Sequence, residues 1–198
     1  MAKGERIMNA RLAVLLLCVV HVGVGCATRP ESVASRNYLS AQIEETVALF
    51  KIRDPGIQAF FDRSYGYAVL PRITKGALVV GGAHGKGEVF AGGVKVGYCS
   101  MTQASIGFSF GGEFFREIVF FRDKVDLDRF RMGDFTFSGQ ATAVALTAGA
   151  AAKSDYEYGM AVFVMPDSGL MVDASIAGQK FSYDPAFTMR EEPPTVLP

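Results

Sequence analysis

Tryptophan is missing from this chain, and histidine nearly so: its 198 residues include no Trp and two His. Only His84 lies beyond residue 25, between Ala83 and Gly85. No histidine-containing triad can be completed without it, and no glutamate stands beside it at metal-ligand spacing. Cysteine is scarce as well, with Cys18, Cys26 and Cys99 as the whole set. A small secreted domain stapled by disulfides keeps an even set, so that architecture is excluded. Neither sign of charge is in excess, with 20 basic and 20 acidic residues. A nucleic-acid binder needs a basic surplus or stripe, and none is present. The longest apolar run, LAVLLLCVV at residues 12–20, is shorter than the roughly 20 residues that span a bilayer core.

What is present begins at the N-terminus. Lys3, Arg6 and Arg11 precede that apolar run, and small residues follow it, the pattern of a secretory signal over residues 1–25. Cleavage there leaves 17 basic and 19 acidic residues, a nearly neutral body. The junction VGVGCATRP resembles the lipobox of bacterial lipoproteins, which implies acylation of Cys26, although Gly23 stands where such sequences usually carry leucine. Gly23 and Gly25 equally suit ordinary small-x-small cleavage, so simple secretion is the alternative. Residues 26–37, polar and without periodicity, read as a lipidated tether, and residues 186–198, ending EEPPTVLP, as a loose tail.

The body between them, residues 38–185, reads as one domain. Its aromatic supply, 16 Phe and 7 Tyr in the chain, is enough for the core of about 150 residues. Leu39, Ile43, Val47 and Phe50 recur at helical spacing, with Gln42, Glu44 and Glu45 opposite. An acidic outer face predicts packing on a core rather than on an anionic membrane. Asp54-Pro55 marks a second helix start, with Ile57, Phe60 and Phe61 inward. Beyond Tyr67 the pattern turns to alternation and glycine, predicting strands with turns at Lys75–Gly76, Ala91–Gly93 and Gly111–Glu113. A short helix over Asp123–Arg131 closes at Gly133, with Asp126, Asp128 and Arg129 on its solvated face. Phe135–Lys153 reads as strand, and the last hairpin turns at Pro166–Gly169. The fold class that follows is α+β: N-terminal helices packed on a glycine-rich, largely antiparallel sheet, strongly curved or barrel-like.

The stretch GALVVGGAHGKGEVF, residues 76–90, surrounds Lys86 with glycine and invites comparison with a phosphate-cradling loop. Val80 occupies the first glycine position of that motif, and Gly87 replaces the hydroxyl that holds magnesium. The dinucleotide pattern fails on glycine spacing and on element order. A nucleotide is therefore not expected, nor any cofactor or metal. The glycines read instead as steric clearance where backbones approach. Glu113, Glu117, Asp123, Asp126 and Asp128 cluster near the short helix, but nothing brings two of them into an apolar pocket, so catalysis is not expected. Cys99, in VGYCSM, reads as a small buried hydrophobe.

GYAVLPRITKGALVVGGAHGKGEVF, GYCSMTQASIGFSFGGEFFREIVFF, SGQATAVALTAGAAA and GLMVDASIAGQKFSY, in that order, resemble the SYLF domain over Gly66 to Tyr183. That lipid-binding module occurs in bacterial envelope lipoproteins and in eukaryotic proteins of actin-rich membrane sites. The resemblance implies a compact, largely β body, phospholipid binding and no catalysis. GYCSMTQ stands where the eukaryotic members carry a tryptophan-serine-proline type stretch, which separates this chain from their phosphoinositide specificity. Arg72, Lys75 and Lys86, cations beside glycine turns, are the candidate headgroup contacts. The expected partner is a phospholipid membrane and the expected location the bacterial envelope, as an outer-membrane lipoprotein facing the periplasm. An envelope protein is the alternative partner, with the domain as an interaction scaffold, and a soluble secreted or periplasmic protein is the alternative form.

Overall fold

The structure, a computed structural model, describes residues 28–133, 136–138 and 144–186. Cys26 and the signal segment lie outside the described residues. Helix α1, Val33–Arg53, begins inside the stretch read as a tether. Its start is fixed by a capping box in which the Ser32 hydroxyl accepts from the Ser35 amide and the Ser35 hydroxyl from the Ser32 amide. The segment ahead of it is also packed. Pro30 is buried, the Thr28 and Ser100 hydroxyls are 3.2 Å apart, and the Arg29 guanidinium stands over the Tyr98 ring. The serine pair supplies a helix start that apolar periodicity cannot show. Leu39, Ile43 and Phe50 are buried as their spacing predicts, with Thr46 completing the stripe.

Asp54 then caps a short 3-10 turn, Pro55–Ile57, that leads into α2, Gln58–Arg63. Three long strands follow in part and dominate the fold: β1, Gly66–Ala91; β2, Val94–Phe121; and, after helix α3, Lys124–Met132, the strand β5, Met160–Pro185. Two short strands, β3 at Thr136–Ser138 and β4 at Val144–Ala145, both pair with β5, β4 in parallel. The architecture is mixed α+β on a mostly antiparallel sheet ordered β1-β2-β5-β3. That order does not return to β1, so the sheet is open rather than a closed barrel.

β1 and β2 form one hairpin, from Gly66↔Phe121 at its base to Ala91↔Val94 beside the turn. Gly92 and Gly93 at that turn have φ of 56° and 77°, which β-carbons disfavour. The turns expected at Lys75–Gly76 and Gly111–Glu113 do not form; both pairs lie mid-strand, facing each other in register. The turn expected at Pro166–Gly169 is likewise a register shift within β5, where Phe115 pairs with Pro166 and Phe114 with Ser168. Proline is tolerated there because a bulge needs no ladder bond from its nitrogen.

A straight strand would separate residues 69 and 87 by about 60 Å. Instead the two halves of β1 touch. A β-carbon on Gly87 would overlap the Val69 carbonyl, one on Gly85 would lie 2.6 Å from Ile73 Cγ1, and one on Gly66 2.5 Å from the Phe90 carbonyl. The alternation along the strands then divides the core. Ala68, Leu70, Ile73, Val119 and Phe121 meet Ala83, Val89, Met101 and Phe181 from the opposite half, closed by Leu127 and Phe130 of α3. Val69, Ile118, Phe120 and Phe163 face the other way, under α1, Ile57 and Phe60. Cys99 sits in the first cluster, fully buried, and burial pushes its thiol far above the ordinary range, with the nearby Glu117 and Glu88 adding to it.

Candidate functional site

Because β1 returns on itself, Arg72 and Lys86, 14 residues apart in sequence, line the same cavity. The contact that allows it is Gly85, whose Cα face lies against the Arg72 carbonyl: a β-carbon there would be 3.0 Å from that oxygen. The other wall is the N-terminal half of α1, with Tyr38 and Gln42, preceded by Glu31 and the Ser32 cap. The concavity is open to solvent and measures about 500 Å³. Arg72 lies over the Phe114 ring, 4.2 Å from guanidinium carbon to ring centroid, which steadies the cation without neutralising it. Lys86 is half-buried and forms no ion pair among the described residues. α1 presents its positive end here and carries no acidic residue in its first turn. Two cations and a helix N-terminus around one concavity can hold a phosphate.

Lys75, the third cation expected at such a site, is elsewhere. Its ammonium is 3.4 Å from Glu113, and it lines a smaller cavity of about 210 Å³ with Phe115 and Gln179. Parity explains the separation: Arg72 and Lys86 share the face of β1 that looks toward α1, and Lys75 stands on the other. Glu31, Ser32, Ser35, Tyr38 and Gln42 also line the cavity, and the sequence does not single them out because part of that stretch reads as tether. The Ser-x-x-Ser spacing at residues 32 and 35 was the available signal.

The acidic cluster also resolves differently. Asp126, expected on a solvated face, is 2% exposed. Its carboxylate lies 3.5 Å from Arg122 and 3.8 Å from Arg129, and Asp123 caps α3 through the Asp126 amide. Glu117 is fully buried between the two halves of the sheet, where Gln179 Nε2 donates to it at 3.3 Å. Burial pushes its carboxyl up to about 7, against a smaller opposing effect of that amide. His84 is half-buried in β1. Among the described residues no helix is long and apolar enough to cross a membrane.

Comparison with known proteins adds one relative of note. No family model matches the chain. It is 31% identical over 137 residues to Beta cell expansion factor A of Aeromonas veronii, covering 68% of this chain and 51% of that protein. The chain thus spans about half the length of the curated relative it matches.

Proposed function

We propose that this is a non-enzymatic, SYLF-like protein of the bacterial envelope whose folded body binds phospholipid headgroups. The observation that carries the reading is the joint placement of Arg72 and Lys86 in one cavity at the start of α1. The glycine-rich sheet, bent strongly enough to bring Gly85 against Arg72, is in this reading the scaffold that makes the pair. The relative in Aeromonas veronii supports a bacterial setting. Cys26, acylated after removal of residues 1–25, would supply membrane residence. Each buried methylene contributes roughly 0.8 kcal/mol, so two chains hold a protein without help from charge. Residence therefore says nothing of headgroup binding, and the two need separate tests. Mass spectrometry of the mature N-terminus reads the first, with acyl chains on Cys26 expected and an unmodified residue contradicting it. Flotation with liposomes reads the second, using the chain with Cys26→Ser: binding that falls when Arg72 and Lys86 are replaced supports the cavity as the headgroup site.

A further inference from the structure

The cavity beside α1 holds charges of both signs that do not meet. Glu31 lines it together with Arg72 and Lys86, yet no ion pair among the described residues joins Glu31 to either cation. Several of its neutral polar groups, by contrast, are paired with one another within α1. The Ser32 hydroxyl is 2.9 Å from that of Ser35 and accepts from the Ser35 amide, while the Ser35 hydroxyl donates to the Ser32 carbonyl. Gln42 Nε2 donates to the Tyr38 hydroxyl at 3.3 Å. The charged and aromatic groups a ligand meets are a cationic wall, a separate carboxylate and the exposed Tyr38 ring. The space of about 500 Å³ is far more than a phosphate fills, given that a water's share of liquid is roughly 30 Å³.

From this we infer that the site takes a zwitterionic phosphodiester headgroup, its phosphate on Arg72 and Lys86 and its ammonium toward Glu31 and the Tyr38 ring. The inference rests on the headgroup reading above and narrows it. A polyol headgroup leaves Glu31 without a counter-ion. A headgroup with additional phosphates sets like charge against Glu31. An ammonium satisfies the carboxylate and can also lie over an aromatic face.

The test compares vesicles of phosphatidylcholine with phosphatidylethanolamine against vesicles of phosphatidylglycerol, using the full chain and its Glu31→Gln and Lys86→Gln variants. The N-terminal segment is common to all three, so its contribution cancels in the ratios. Glu31→Gln is expected to weaken binding to the zwitterionic vesicles about threefold, the scale of one solvent-facing charge pair. It should not weaken binding to phosphatidylglycerol, whereas Lys86→Gln should weaken both. Soluble glycerophosphoethanolamine should compete with the zwitterionic vesicles for the parent chain and less well for Glu31→Gln. If it competes at concentrations matching the vesicle lipid, the same chemistry is read from the free compound and not only from a bilayer. Zwitterionic binding unchanged in Glu31→Gln would overturn the inference while the headgroup reading stands. Lys86→Gln binding both vesicles as well as the parent would overturn the headgroup reading itself.

Discussion

Gly87 and Gly82 lie five residues apart on β1 and meet opposite surroundings. A β-carbon at Gly87 would overlap the Val69 carbonyl, whereas one at Gly82 would be 3.6 Å from the Gln103 carbonyl, an ordinary contact. Gly87→Ala is expected to cost more than about 2 kcal/mol because backbone must move, and Gly82→Ala to stay within about 0.5 kcal/mol of the parent. Urea denaturation of both checks this, and equal midpoints would contradict steric clearance as the role of Gly87. Glu117 makes a second prediction at this scale. Burial raises its carboxyl from 4.5 to about 7 in the folded chain, so the folded state holds a proton that the unfolded state releases. Its penalty is absent below about pH 4.5, grows as pH rises, and is complete above about pH 7. Glu117→Gln should therefore stabilise the protein by roughly 3 kcal/mol at pH 8 and have little effect at pH 4.5. The same gain at both pH values would place the effect elsewhere.

Among the elements, the joint between α1 and α2 depends on Asp54, which is 3% exposed. Its carboxylate accepts from the Gly56 amide at 3.0 Å and the Ala151 amide at 2.7 Å, tying the helices to the segment ahead of β5. Burial alone would raise its carboxyl, but the backbone donors together outweigh that and hold it below the usual range. Its contribution is thus present above the unfolded-state value near 4 and lost as pH falls through the folded value. Asp54→Asn should lower stability at pH 7 by roughly 1–3 kcal/mol and flatten the acid side of the thermal-melting profile. These caps were legible in the sequence: Asp54-Pro55, and Asp123 with Gly133 around α3, are local chemistry written within a few residues. The α1 stripe was legible for the same reason. Strand continuity was not, because glycine at Gly76 and Gly111–Gly112 signals a turn locally, while here it lies within paired strands. Asp126 was misplaced because its burial depends on a distant turn: the backbone of Gly159, just ahead of β5, lies against its carboxylate.

For the molecule as a whole, the doubled course of β1 links fold to site. It sets one half of the sheet over the other around a shared core, and on the outer face it sets Arg72 beside Lys86 under α1. Half of the candidate site was therefore readable and half was not. The sequence marks the cations as neighbours of glycine, but their joining comes from a fold-back between positions 14 residues apart, and Lys75 goes to the opposite face by parity. Polar pairs along α1 join it to the sheet: Arg116 of β2 reaches Glu45 at 3.3 Å, and Glu88 of β1 joins Lys95 of β2 at 3.0 Å and the Ser40 hydroxyl at 2.7 Å. The most direct test of the account is liposome flotation of the Cys26→Ser chain with and without Arg72→Gln and Lys86→Gln together. The account predicts that the parent floats with phospholipid vesicles and that the double variant, folded as judged by an unchanged melting temperature, loses most of that binding. Equal flotation of the two chains, or none by the parent, would contradict it.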